Sequence, residues 1–283
     1  MRRLMPGEPL FIGNDKLQVR LAPDAGGRIS KMSFEGVEWL CGFDADNAAA
    51  IAWGCYPLVP WAGRLRRGRF RFDGREYQLP PNLGAHAIHG VGFTQRWQVG
   101  ARSPTQLEMS LQLPRDASWP FGGTALQRLT VNGRILRLEL SVTAGKYAMP
   151  KPVLGWHPWF QKPTRLDFAP TRCYPRDREG IATLPLVKPP PGPWDDCFIN
   201  TRAVVLHRGQ QSLRLSSECE HWVVFDQRPH ATCVEPQTGP PDAFNLLPKE
   251  RLEAGETVEA WLLLEWLGEA EPAVSAATPR RRG

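Results

Sequence analysis

The sequence predicts an all-β protein, a large antiparallel β-sandwich. Apolar residues recur at every second position, tight-turn dipeptides sit between such runs, and no stretch sustains a 3.6-residue period. The alternating runs come in order. Leu17, Val19 and Leu21 form the first, and Leu107, Met109, Leu111 and Leu113 the second. Leu136, Leu138, Leu140 and Val142 follow, then Val258, Ala260, Leu262, Leu264 and Trp266. A period of two puts one face of each strand on a core. Asp73-Gly74 and Asn132-Gly133 lie between strand-like runs and favour the positive φ angles of a hairpin turn.

The 28 prolines predict many irregular loops, because proline is excluded from central strands. The 11 tryptophans fit either a heavy core or an aromatic-lined ligand site. No break in composition marks a boundary. The stretch Lys188-Pro189-Pro190-Pro191-Gly192-Pro193 reads as a stiff loop inside a single domain over residues 1–269. Residues 270–283 lack an apolar pattern and are expected to form a disordered basic tail.

The net charge of +6 is mild, and part of it lies in Arg280, Arg281 and Arg282. The cluster Arg64, Arg66, Arg67 and Arg69 reads as a solvated surface, so no nucleic-acid partner is expected. Six cysteines without a CxxC pair predict buried, reduced thiols. The first residues carry no apolar signal-peptide core, and no run approaches the ~18 apolar residues of a membrane span. A cytoplasmic protein, monomeric or homodimeric, is expected.

Four segments mix polar residues with glycine, proline and aromatics: residues 56–65, 86–90, 155–160 and 233–245, with a lesser fifth at 194–198. His86 and His89 have the spacing of a metal pair, but no third ligand, CxxC or HExxH accompanies them, so no metal is expected. There is no G-x-S-x-G elbow and no phosphate loop. Acid–base chemistry on a bound polar molecule is what remains. Alone, His157 would read as a core residue and Glu235 as a loop carboxylate. The apolar company of Glu235, namely Cys233, Val234 and Phe225, predicts a raised pKa and a better base near neutral pH.

Together the segments resemble the aldose 1-epimerase, or galactose mutarotase, family over roughly residues 10–267. The likeness rests on Gly63-Arg64, His89-Gly90 and His157-Pro158-Trp159-Phe160. It rests also on Asp195-Asp196-Cys197-Phe198, and on Glu235-Pro236-Gln237 with Pro241-Asp242-Ala243-Phe244-Asn245. The last match is the most specific. The resemblance implies a galactose mutarotase-like supersandwich with a sugar cleft on one concave sheet. It puts the general base on Glu235, the general acid on His157, and sugar binding on Arg64, His89 and Asp195. Three departures stand out. Trp156 and Trp159 flank His157 where the family often has smaller or different residues. Gly63 replaces the family's usual Asn, and His86 is an addition without a role.

Anomer exchange removes a proton from the anomeric hydroxyl while the ring oxygen gains one. A Glu base suits this if its pKa stays below cell pH, and a His acid if its pKa near 6.5 is pushed slightly up. Trp159 could stack on the sugar's apolar face. No metal or organic cofactor is required, and the expected partner is a free monosaccharide. A hexose 6-phosphate mutarotase using the arginine cluster, and a non-catalytic sugar sensor, are the rival readings.

Overall fold

The computed structural model describes residues 2–46 and 48–267; the tail expected over residues 270–283 lies outside the described residues. The chain folds into two large antiparallel sheets. The first has ten strands, eight of them running from Leu10–Gly13 through Leu17–Ala22, Arg28–Phe34, Cys55–Leu58, Gly155–Gln161, Ala231–Gln237 and His221–Phe225 to Asp195–Ile199. The second has eight, with Thr124–Asn132, Ile135–Thr143, Thr257–Leu267 and Gln211–Ser217 at its centre. Among the described residues the α-helix is limited to Ala243–Leu246.

The alternating runs form the strands expected of them. On Ile135–Thr143 every second residue is buried, as on Thr124–Asn132. Leu129, Leu138 and Leu262 lie opposite one another on three adjacent strands, and all three are fully buried. The two sheets meet face to face, with Trp266 of the second stacked on Phe34 of the first at 5.3 Å. Most tryptophans, including Trp39, Trp97, Trp119 and Trp156, are fully buried in the interior. Asp73 and Gly74 both take positive φ in a two-residue hairpin loop. At the other hairpin the loop is Gly133-Arg134, because Asn132 still pairs with Ile135. All six cysteines are free thiols. No helix of the described residues is long and apolar enough to cross a membrane.

One expectation fails. Pro57, Pro158 and Pro236 lie in three neighbouring central strands of the ten-stranded sheet. Proline lacks the N–H of a ladder bond. The pairing between Gly155–Gln161 and Ala231–Gln237 accordingly holds at Gly155↔Gln237 and Trp159↔Cys233 and lapses between them. Both of these strands are buried on both faces, unlike those of the second sheet. Trp156, Phe160 and Val234 point into the core between the sheets, while Trp159 and Cys233 join a smaller apolar cluster on the opposite face. His157 and Glu235 share that opposite face by alternation.

Leu138→Ala removes a side chain that touches apolar neighbours on both flanking strands. It is expected to lower unfolding free energy by about 2–5 kcal/mol, read as a reduced urea midpoint at unchanged slope.

Candidate active site

A cavity of about 330 Å³ opens on the outer face of the ten-stranded sheet. Arg64, His89, His157, Trp159, Asp195 and Glu235 all line it, so residues far apart in the sequence converge on one volume. His157 and Glu235 form its floor. The flanking pairs Gly155↔Gln237 and Trp159↔Cys233 leave them opposite each other, with His157 Nε2 at 3.1 Å from Glu235 Oε1. The Gln237 amide donates to the other carboxyl oxygen, Oε2, at 3.1 Å. The His157 ring is sandwiched between Tyr56 at 4.7 Å and Trp159 at 5.5 Å, both stacked on it. Behind Tyr56 lies the fully buried guanidinium of Arg28, 4.8 Å from the Tyr56 ring centre. It donates to the carbonyls of Ala25, Trp53 and Phe93, which satisfies the buried cation.

Burial sets the protonation of the floor. It pushes the Glu235 carboxyl well above the usual carboxylate range, and the charge of Asp195 adds to the push. Burial also lowers His157, to about 3, with the Arg28 charge acting in the same direction. The raised Glu235 agrees with its apolar neighbours in the sequence. The direction at His157 is the reverse of the small upward push expected, because no exposed surface solvates an imidazolium there. Both directions favour the state in which the two groups hold one proton between them and the pair is neutral overall.

His89 is fixed by its backbone and its ring together. Its φ is +61°, a left-handed value uncommon for a residue with a side chain. The Gly63 N–H donates to His89 Nδ1 at 3.2 Å, and the His89 N–H donates to the Gly63 carbonyl at 3.1 Å. Burial drives the His89 pKa well below its usual value, with the charges of His157 and Arg64 adding to this. A neutral ring that accepts at Nδ1 carries its proton on Nε2, so His89 is a hydrogen-bond donor. A side chain such as Asn has no room at position 63. Gly63 has φ +65°, and a Cβ there would come within 2.6 Å of the Pro241 side chain.

Asp195 Oδ2 accepts from Arg176 Nη1 at 2.7 Å and lies 3.6 Å from Arg64 Nη2. Arg176 Nε donates also to Asp196 at 2.9 Å. Arg176 was not legible in the sequence, since it lies in an irregular segment with no motif around it. Arg176, Gly180 and Ala182 border the cavity on this side, and Asp177 and Glu179 in the same segment bind Arg66 at 2.6 and 2.9 Å. Glu179 also binds Arg67 at 2.7 Å. His86 gains a role here: its Nδ1 accepts the Arg67 N–H at 3.1 Å. The Nδ1 of both His86 and His89 is thus held by a backbone amide.

The specific motif at residues 241–245 is a bolt. Asp242, buried and at φ +60°, accepts from the Arg66 N–H at 2.9 Å and from the Asn245 amide at 2.7 Å. Asn245 also donates to the Arg69 carbonyl at 2.9 Å. The segment that follows Glu235 is thereby pinned to the segment that carries Arg64.

A family model described as aldose 1-epimerase matches residues 11–265. Two curated proteins of Escherichia coli K12, both uncharacterized, are similar. The chain is 38% identical to YphB over 109 residues, 38% of this chain and 36% of YphB. It is 28% identical to YihR over 219 residues, 66% of this chain and 70% of YihR. Among solved structures, a candidate aldose 1-epimerase of Escherichia coli K12 superposes with a TM-score of 0.81 at 21% identity, covering 92% of this chain and 99% of that one.

Asp242→Ala leaves the Arg66 N–H without its acceptor and frees the Arg64 segment. A loss of about 1–3 kcal/mol in stability is expected from calorimetry or urea unfolding. Asp242→Asn, which keeps an acceptor, is expected to lose less.

Proposed function

Since the chain belongs to the aldose 1-epimerase family, we propose that it interconverts the α and β anomers of a free galactose- or glucose-like aldose. Glu235 and His157 act as the proton-transfer pair, and Arg64, His89, Asp195 and Trp159 hold the sugar. The observation that carries this reading is the 3.1 Å contact between His157 Nε2 and Glu235 Oε1 on the floor of a cavity lined by Arg64, His89 and Asp195.

Ring opening needs a base at the anomeric hydroxyl and an acid at the ring oxygen in the same complex. A pair that shares one proton contains both. Shifting that proton from the carboxyl to the imidazole, along a single short contact, makes a carboxylate and an imidazolium without changing the net charge. Glu235 then takes the proton of the anomeric hydroxyl, and His157 donates to the ring oxygen. The C1–O bond of the ring breaks and an open aldehyde forms. After rotation about C1–C2 the ring recloses, with the proton transfers reversed. Each partner supplies on the order of 10²–10⁴-fold. His89 Nε2–H and Arg64 donate to sugar hydroxyls, and Asp195 accepts. Trp159 offers an aromatic wall, while its stacking on His157 also holds the acid in place.

A phosphorylated sugar is less well supported. The arginine cluster that would serve a phosphate is committed elsewhere: Arg66 and Arg67 bind Asp177 and Glu179, and Arg69 donates to Gln78.

The protein is expected to speed the decay of optical rotation of fresh α-D-glucose or α-D-galactose with chelator present. Chelator inhibition reversed by added metal would overturn a cofactor-free reaction. Glu235→Gln and His157→Asn are each expected to lower kcat by at least about 10²-fold with a much smaller change in sugar affinity. The double variant should be little worse than the poorer single one. Lost binding with normal turnover at saturation would instead favour a sugar sensor.

The pH dependence follows from the shared proton. A second proton enters the pair only near the lowered His157 pKa of about 3, and the shared proton leaves only at the raised Glu235 pKa. A plot of kcat/KM against pH is therefore expected to show no acid limb at the free Glu value of about 4.3, the fall on that side coming instead near pH 3. A bell centred between about 4.3 and 6.5 would show that the two titrate independently.

A further inference from the structure

The Ala231–Gln237 strand turns Cys233 to the same face as Glu235, and the mechanism leaves this thiol without a task. One donor atom each from His157, Cys233 and Glu235 lies within 4.8 Å of the other two, and all three residues are buried. We propose that these side chains form a site for a thiophilic divalent cation, Zn²⁺ or Cd²⁺, and that an ion bound there blocks the enzyme by capturing its proton-transfer pair. Binding stands on geometry alone, while the block rests on the reading of His157 and Glu235 as that pair.

The donor set is the argument. Thiolate, imidazole and carboxylate are the three side-chain ligands of zinc, with bonds of about 2.0–2.3 Å that set donors about 3.3–3.6 Å apart around a tetrahedral ion. His157 Nε2 and Glu235 Oε1 already stand at 3.1 Å. The thiol must approach by about 1 Å, a shift that a change of side-chain torsion provides. The fourth position faces the cavity and is open to water. His157 Nδ1 is buried without a hydrogen-bond partner among the described residues, so no bond at that nitrogen opposes ligation through Nε2. Two protons leave to solvent as the ion enters: the thiol proton and the proton that His157 and Glu235 share. The soft sulfur ligand selects Zn²⁺ and Cd²⁺ over Mg²⁺ and Ca²⁺. The route in is the sugar cavity itself, so sugar and ion exclude each other.

The test has a spectroscopic arm and a kinetic arm. Metal-free protein is titrated with Co²⁺, and thiolate-to-cobalt charge-transfer absorption is expected in the wild type and absent in Cys233→Ser. Cys55→Ser, which alters a neighbouring buried thiol, should keep the absorption. In the kinetic arm, Zn²⁺ inhibits mutarotation in competition with sugar, and chelator restores the full rate. Cys233→Ser keeps the basal rate, and the Zn²⁺ concentration for half-inhibition rises at least about tenfold, since loss of even an outer partner costs about 10–100-fold in metal affinity. Cys233→Ala serves as a second variant should serine disturb the fold. Absorption that persists without Cys233, or a wild type that takes up no Co²⁺ or Zn²⁺, overturns the site. Zn²⁺ binding at Cys233 with an unchanged rate overturns the block. A protein that binds Co²⁺ through Cys233 yet turns over no aldose refutes the proposed function and leaves the site standing.

Discussion

The candidate site depends on the register between two central strands. Gly155 lies opposite Gln237 and Trp159 opposite Cys233, and this sets His157 against Glu235. A slip of one residue would turn either side chain into the core between the sheets, because strand side chains alternate. The apolar residues of the same strands forbid that slip: Trp156, Phe160 and Val234 are buried where His157 and Glu235 would land. The hydrophobic pattern and the polar pair are thus one constraint seen from two faces. Pro158 and Pro236 loosen the ladder between the fixed points, so the pair sits where these two strands make no bonds to each other. On the flanking strands His157 still lies opposite Tyr56 and Glu235 opposite Val223.

Burial then does the chemical tuning. In a low-dielectric floor a separated carboxylate and imidazolium are both disfavoured, and sharing one proton removes the need for either. The stack from Arg28 through Tyr56 and His157 to Trp159 gives the imidazole a rigid seat. The cation at the far end of the stack is fully paired with carbonyls, so it supports the ring without offering it a counter-ion.

Much of the architecture was legible in the sequence, because strand alternation is a local signal. Leu136 to Val142 and Val258 to Trp266 announced themselves at a period of two. The residues lining the cavity were legible through the order of their motifs, each weak alone. Other features were not legible, for definite physical reasons. Arg176 reaches Asp195 from an irregular loop, where no periodicity points. The downward direction at His157 depends on burial by Tyr56 and Trp159 together, and on Arg28, which are separate in sequence. The three prolines broke a rule that describes regular ladders, and the ladder here is interrupted. Asp242 was singled out by its motif, yet its work lies in backbone bonds that no side-chain pattern reveals.

That work has a bearing on how the molecule comes into being. The Asp242 carboxyl reaches the Arg66 amide across 176 residues of chain. Such a contact closes late, since loop-closure entropy must be met before it forms. The segment bearing Arg64 therefore takes its final position only after the last third of the chain has emerged and folded back. A partly made chain could hold its first strands yet offer no finished cleft, so the ability to grip a ligand marks the completion of folding.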